Sequence, residues 1–448
     1  MKLSGKRVVV VGLGRSGVAA TRLCLAQGAE VVATDSAPLE KLSAEARGLD
    51  AKLVAGGHGG VPFTEVDLVV VSPGVPPMPE LDDAERAGVE VIGELELASR
   101  FVRAPIVSIG GTNGKSTTTV LAASMLEEAF GKVFRGGNLG VPLSEAVLSG
   151  DSWDCLVVEV SSFQLERAPT FKPAVSVLLN VSDDHLDRYP DALAYAQAKG
   201  NAFVNQTPRD TAVVPAADER CLAQAWRGKG KVVTFGLRDS DYRVRDLCVE
   251  ESQSNTRYSL VGTEIHGEHN ALNAAAAIAA VRGLGAAQNA IQRGLVNFRA
   301  LPHRMTLVGE IDEVRFYDDS KATNVGAAVT ALRGLRESRA VLVAGGRDKL
   351  GAYDDLVDAL VERGRGVVLI GEAAERIARA LGDRVPAVRA KNMDEAVVMA
   401  FRLAVRGDAV LLSPACSSFD MFSGYAERGE AFVAAVERLM LEQQEVTQ

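Results

Sequence analysis

The sequence predicts a three-domain α/β protein in which each domain carries a mainly parallel sheet. Three observations predict it. The chain has 448 residues, and at about 100–200 residues per domain three is the natural count. Short runs rich in valine and leucine alternate with helical patterns along most of the length, which is the signature of βαβ units. Glycine-rich loops join a strand to a helix twice, at Gly12–Gly17 and at Gly110–Lys115. The expected domains are 1–103, 104–299 and 300–448.

Composition narrows the function classes. With 47% hydrophobic and 24% charged residues, the chain reads as a globular protein able to bury large cores. A net charge of -9 argues against nucleic acid or a membrane surface as partner. The five cysteines (Cys24, Cys155, Cys221, Cys248, Cys416) are scattered without a CxxC pair. Reduced thiols in the cytoplasm are therefore expected, with neither a disulfide frame nor a zinc site. No apolar run reaches the ~20 residues of a membrane span. The start, MKLSGKRVVVVGLGRSG, is interrupted by glycines at once and is expected to be a first strand, not a signal peptide.

The first domain opens on the strand RVVVV at 7–11, followed by Gly12-Leu13-Gly14-Arg15-Ser16-Gly17 and a helix. A second strand, 30–34, ends at Asp35, 18 residues past Gly17. This GxGxxG pattern predicts a Rossmann-like domain that holds a nucleotide diphosphate at a helix N-terminus. Taken alone it suggests NAD, with Asp35 on the ribose, although a tight turn with close helix packing needs the same glycines. The strand 67–71 ends in Ser72-Pro73-Gly74, a turn facing the same edge.

The central domain is organised around VSIGGTNGKSTTT at 107–119. A strand, 106–109, leads into Gly110-Gly111-Thr112-Asn113-Gly114, and Lys115-Ser116-Thr117 open a long helix. Backbone N–H groups of such a loop close around phosphate, the lysine reaches the outer phosphates, and a hydroxyl sits on Mg²⁺. The spacing is P-loop-like but not strict, because Ile109 stands where the first glycine of that pattern belongs. The strand 155–158 ends at Glu159, a plausible Mg²⁺ ligand. The strand 174–179 leads to Asp183-Asp184-His185-Leu186-Asp187, where His185 between acids is a site candidate and the acids can cap a helix. Three strands therefore aim polar ends at one place. Lys199, on a helix after Pro190, reads on its own as a surface lysine. Residues 211–261 hold short β-like pieces and polar turns. Asn270 and Asn273, one turn apart on an alanine-rich helix, share a face. They fit either a cap with a buried amide or contact with an adenine edge.

In the third domain, Asp318-Asp319-Ser320-Lys321-Ala322-Thr323-Asn324 falls between a strand and a helix, and VLVAGG, GVVLIG and AVLLSPACSSFDMF continue the alternation. Loops of this kind at strand ends gather polar groups for a small acidic ligand. Arg304, Lys321 and Lys349 supply positive charge, although each taken singly is an ordinary solvated cation.

GTNGKST at 111–117, Asp184-His185-Leu186-Asp187, His269-Asn270, Leu301-Pro302-His303-Arg304, DDSKATN at 318–324 and SPACSSFDMF at 413–422 together resemble the Mur ligases, across all three domains. The phosphate loop is shared with the folylpolyglutamate synthases. The SKATN and SPACSSFD motifs narrow the resemblance to the branch that adds D-glutamate. The resemblance implies a cytoplasmic, monomeric enzyme of peptidoglycan precursor synthesis that forms an amide at the expense of ATP. The carboxylate of UDP-N-acetylmuramoyl-L-alanine becomes an acyl phosphate, and the amine of D-glutamate attacks it through a tetrahedral intermediate.

The same resemblance assigns roles. The first domain would bind a UDP-sugar in place of NAD, with Arg15, Ser16, Asp35, Ser36 and Ser72 as candidate contacts. ATP would be held by Gly111, Thr112, Asn113, Gly114, Lys115, Ser116 and Thr117, with Asn270, Asn273, Arg304 and Asp319. Ser116, Thr117 and Glu159 would hold one Mg²⁺. Glu159, His185 and a Lys199 carbamylated by CO₂ would hold a second. Lys115 would stabilise the transferred phosphoryl group. Asn138 would touch the muramoyl substrate, and Lys321, Thr323, Lys349, Ser418, Phe419 and Tyr425 would surround D-glutamate. An oxidoreductase would use only residues 7–35 and leave GTNGKST idle. A nucleotide-switched binding protein would have no need of Lys199 and the SKATN loop.

Overall fold

The first sheet is built from strands with apolar side chains on both faces. Arg7–Val11 (RVVVV) and Leu68–Val71 (LVVV) are buried almost throughout, as parallel strands covered by helices require. The sheet order is Lys52–Ala55, Glu30–Asp35, Arg7–Val11, Leu68–Val71, Glu90–Gly93, and every pairing is parallel. The order reverses at Arg7–Val11, so a crevice opens beyond its carboxyl end, where the GxGxxG turn lies. The structure is a computed structural model and describes residues 1–182, 184, 188–348 and 352–446.

The second sheet has nine strands. Its core strand, Ile106–Gly110, is fully buried and pairs in parallel with Val175–Leu178 on one side and Cys155–Glu159 on the other. The carboxyl ends of these three strands are thus neighbours. The helix Lys115–Phe130 starts at the loop that follows the core strand. At the far edge, Tyr242–Arg245, Cys248–Glu251 and Thr256–Ser259 pair antiparallel, extending an otherwise parallel sheet.

The first two sheets share an apolar cluster. Ile92, Leu95 and Leu97 pack in the same cluster as Leu143, Leu165 and Phe171. Two buried carboxylates brace this junction. Glu94 Oε1 accepts from the Ser144 N–H at 2.6 Å. Glu96 accepts from the Thr170 N–H at 3.1 Å and from Arg100 Nε at 2.7 Å.

The chain divides into two compact units, one of residues 1–181, 193–266 and 270–298, the other of residues 182–192, 267–269 and 299–448. The second unit holds a six-stranded sheet, in which only the pairing of Thr306–Ile311 with Val314–Asp318 is antiparallel. Ala409–Leu412 lies between Val314–Asp318 and Ala340–Gly345. Separate apolar clusters cover its two faces, one around Leu342, Leu356 and Leu369, the other around Phe316, Val397 and Phe432. The three sheets agree with the expected mainly parallel α/β class. Among the described residues no helix is long and apolar enough to cross a membrane.

Candidate active site

The phosphate loop is braced by the side chain of Asn180, which follows a neighbouring strand. Asn180, at the end of Val175–Leu178, accepts from the N–H groups of Thr112 and Asn113 through Oδ1, at 3.2 and 2.9 Å, and donates from Nδ2 to the Asn113 carbonyl at 3.1 Å. One amide therefore fixes the backbone on both sides of Asn113. Gly114 caps the following helix at φ +83°, and a Cβ there would overlap Oδ1 of Asn273. Glycine is required twice over, by the left-handed backbone and by the close approach. Lys115 Nζ donates to the Thr112 carbonyl at 2.8 Å. The Ser116 and Thr117 hydroxyls start the helix and are buried.

Glu159 is 2% exposed. Its Oε1 accepts from Asn138 Nδ2 at 2.7 Å, and its main-chain carbonyl accepts from the Asn138 N–H at 2.8 Å. Its Oε2 is buried and has no hydrogen-bond partner among the described residues. An orphaned carboxylate oxygen of this kind is costly unless something binds it. A hard cation that takes oxygen ligands fits that atom. The loop, with its N–H groups and helix N-terminus, fits nucleotide phosphates. The residues present thus suit Mg²⁺ with ATP.

Lys199 is buried, 3% exposed, on the helix Ala192–Val204. Its Nζ donates to the Gly111 carbonyl at 2.9 Å and lies 4.4 Å from the centre of the Tyr195 ring. The surface-lysine reading of the sequence does not hold, because the helix turns this residue under the phosphate loop. Asn273 Nδ2 donates to Asn270 Oδ1 at 3.3 Å, and Asn270 Nδ2 to the His266 carbonyl at 3.0 Å. His185 lies outside the described residues.

In the first domain the turn is self-braced. Asp35 accepts from the Leu13 N–H at 2.6 Å through one oxygen and from the Ala37 N–H at 2.8 Å through the other. Ser72 Oγ donates to the Gly12 carbonyl at 2.7 Å. A Cβ on Gly17 would overlap that same carbonyl. Arg15 and Ser36 are exposed and Ser16 half-buried at this edge.

The second unit gathers its own cluster at the carboxyl ends of its strands. Asp319, 7% exposed, accepts from Ser413 Oγ at 2.9 Å. Burial pushes its carboxyl up to about 7, against the opposing pull of Ser413 and Arg304. His303 Nδ1 lies 2.6 Å from Asp318 Oδ2. Lys321 Nζ sits 3.6 Å from the centre of the Tyr425 ring, a cation–π contact. Thr323 is half-buried beside it, Ser418 is buried and Phe419 is 64% exposed. Lys349 lies outside the described residues. Sequence reasoning missed Asn180, which carried a faint signal as a polar residue closing an apolar strand.

Three family profiles match the chain: a Mur ligase MurD-like N-terminal domain over residues 6–93, the Mur ligase middle domain over 109–281, and the Mur ligase glutamate ligase domain over 303–416. The chain is 43% identical to the UDP-N-acetylmuramoylalanine–D-glutamate ligase of Trichlorobacter lovleyi, over 98% of this chain and all of that one. It is 45% identical to the ligase of the same name from Anaeromyxobacter dehalogenans, over 96% of this chain and 97% of that one. Among solved structures, the Thermotoga maritima UDP-N-acetylmuramate–alanine ligase MurC aligns over 98% of this chain and all of its own, at 20% identity and a TM-score of 0.59. The MurF ligase of the same organism, in complex with ADP, aligns over 85% of this chain and 97% of its own, at 20% identity and a TM-score of 0.61. These structures share the fold. With its relatives matching end to end and all three domain profiles in order, the chain belongs to the Mur ligase family.

Proposed function

We propose that the chain joins D-glutamate to UDP-N-acetylmuramoyl-L-alanine in peptidoglycan precursor synthesis: the alanyl carboxylate takes the γ-phosphoryl group of ATP and releases ADP, and the amine of D-glutamate then displaces phosphate from the acyl phosphate as the amide forms. The observation that carries this reading is the braced phosphate loop beside the bare Glu159 oxygen, in a chain that aligns over its length with ligases of that name. ATP and a nucleotide-linked sugar are cytoplasmic reactants, so the reading makes the enzyme cytoplasmic; it also takes the enzyme to be a monomer.

In this reading, residues 1–103 bind the UDP-sugar, with Arg15, Ser16, Ser36 and Ser72 at the edge that Asp35 braces. Residues 104–299 bind ATP. Lys115 and the loop N–H groups hold the phosphates and offset the charge that builds on the transferred group. Ser116, Thr117 and Glu159 hold Mg²⁺. A second ion is held by Glu159, His185 and a carbamate on Lys199, formed when the amine takes up CO₂ and releases a proton. Bound Mg²⁺ supplies charge neutralisation between the carboxylate and the phosphates. Residues 300–448 bind D-glutamate through Lys321, Thr323, Lys349, Ser418, Phe419 and Tyr425, and contribute Arg304 and Asp319 to the nucleotide. The burial of Lys199 and the Lys321–Tyr425 contact support these assignments.

Phosphate release is the direct test. ATP, Mg²⁺ and UDP-N-acetylmuramoyl-L-alanine are supplied with D-glutamate, L-glutamate, L-alanine, L-lysine or diaminopimelate in separate reactions. Release with D-glutamate alone is the expected result. Release with another amino acid in its place would overturn the specificity, and silence with all five would overturn the ligase reading.

A further inference from the structure

Arg428 is among the largest fully buried side chains of the protein, at 1% exposure on the helix Tyr425–Val446. A buried guanidinium is normally matched by a carboxylate. Here each hydrogen bond goes to a neutral oxygen. Nε donates to Ser320 Oγ at 3.0 Å and Nη2 to the Ser320 carbonyl at 2.8 Å, while Nη1 donates to the Cys416 carbonyl at 3.1 Å. Among the described residues no carboxylate lies in ion-pair contact with it, and Asp318 and Asp420 act on it only at longer range.

The two residues it grips belong to different loops. Ser320 directly precedes Lys321, and Cys416 stands two residues before Ser418. The loops also meet where the Ala415 N–H donates to the Ala322 carbonyl at 3.0 Å and where Ser413 Oγ donates to Asp319 Oδ2 at 2.9 Å. Ala415 itself sits at φ +61°, a left-handed conformation that a non-glycine residue holds only when its surroundings enforce it. Ser320 Oγ donates onward to the Tyr425 carbonyl at 2.7 Å, which ties in the aromatic ring that carries Lys321. A third loop closes over the guanidinium, since a Cβ on Gly346 would lie 3.1 Å from Nη1.

We propose that Arg428 is a positioning residue for the amino-acid substrate: its planar fork sets the spacing between the Lys321–Thr323 loop and the Ser418–Phe419 loop. The proposal rests on the assignment of those two loops to D-glutamate. One edge of the fork takes Ser320 twice while the remaining arm reaches Cys416. A lysine ammonium keeps the charge but has no fixed fork with which to span both loops. Arg428 makes no contact with substrate in this account and acts through Ser320 and Cys416.

The test is steady-state kinetics on full-length Arg428→Lys and Ser320→Ala, with Lys321→Ala alongside. Arg428→Lys is expected to raise the KM for D-glutamate roughly 10-fold or more while the KM for ATP and for the muramoyl substrate stays within about two-fold. Ser320→Ala removes one of the three bonds and is expected to raise the same KM by less. It also serves as the probe if Arg428→Lys does not fold. Parallel loss across all three substrates, with lowered thermal stability, would mean a purely structural residue and overturn the proposal. A raised D-glutamate KM in Lys321→Ala with unchanged values in the other two variants would overturn the positioning role alone. An unchanged value in Lys321→Ala would overturn the loop assignment and the proposal with it.

Discussion

Asn138 and Glu159 form a closed pair: the side-chain amide of Asn138 holds one oxygen of the Glu159 carboxylate at 2.7 Å, and its main-chain N–H holds the Glu159 carbonyl at 2.8 Å. The second carboxylate oxygen is left bare and buried. The amide therefore decides which way the bare oxygen faces.

Truncation of Asn138 separates two roles for it. If it orients Glu159, Asn138→Ala raises the Mg²⁺ concentration needed for half-maximal rate by about 10–100-fold, as loss of a residue that orients a metal ligand does. If it serves only as a substrate contact, the KM for UDP-N-acetylmuramoyl-L-alanine rises and the Mg²⁺ requirement stays put. We expect the first. Initial rates over a Mg²⁺ series at saturating substrate distinguish the two.

Lys115→Ala tests the phosphate loop. The lysine is held at the loop by the Thr112 carbonyl, 2.8 Å away. Its removal is expected to cost at least about 10³-fold in kcat, because phosphoryl transfer depends on charge neutralisation. The fold is expected to persist, since that hydrogen bond is local. Circular dichroism and phosphate release on the same sample check both halves. Retained turnover would sink the assignment.

The difference between what was legible in the sequence and what was not follows from the range of the interactions. GTNGKST was readable because a loop that wraps phosphate must place glycine, lysine and hydroxyl within a few residues. The valine-rich strands were readable because burial on both faces leaves continuous apolar runs. Lys199 was not, because its partner Gly111 is 88 residues away and only the fold turns the lysine inward. Arg428 grips Ser320 across 108 residues. Asn180 lies 67 residues from Asn113. The antiparallel strands at 242–259 escaped for a different reason. YRVR, CVEE and TRYS are four residues each and dense in charge. Their buried residues are Tyr242, Val249 and Tyr258, and charged pairs such as Arg243 with Glu250 at 2.7 Å fill the alternate positions, which breaks up the apolar signal in the sequence.

Asp319 gives the second unit a pH signature. Its carboxyl is raised from 3.8 to about 7, chiefly by burial. The folded state then binds a proton that the unfolded state has lost between these values, so the contribution is present below about 4 and fades as pH rises through 7. Asp319→Asn removes this titration and can still accept from Ser413. The stability of the variant relative to the parent is expected to increase from pH 5 to pH 8, by a few kcal/mol at most. Urea unfolding at each pH measures it, and a difference that is flat with pH would contradict the burial argument.

Lys199→Ala is expected to be inactive. The side chain is buried beneath the loop, and an alanine leaves a space lined by Tyr195 and the Gly111 carbonyl. If the working form of Lys199 is a carbamate, short carboxylates such as acetate or formate can occupy that space and restore part of the rate, while methylamine cannot. If the working form is the free amine, the pattern reverses. Rates of Lys199→Ala across a series of added acids and amines decide between them, and an active variant that needs neither would return Lys199 to a packing role.

Glu96 offers a test that does not involve the chemistry. Its carboxylate is buried completely, accepts from Arg100 Nε at 2.7 Å and from the Thr170 N–H at 3.1 Å, and is also bonded by the Thr170 hydroxyl. Arg100 is itself only 15% exposed and shared with Glu90. Glu96→Ala leaves a mostly buried guanidinium and a backbone N–H short of a partner, at a junction where the first two sheets share an apolar cluster. Breaking a buried pair from one side typically costs about 3–5 kcal/mol, and the remaining contact with Glu90 places this case at the lower end. Glu96→Gln keeps an acceptor for Thr170 and is expected to cost less than the alanine. Equal losses for the two variants in urea unfolding would show that the charge on Glu96, and not its hydrogen bonds to Thr170, secures the junction.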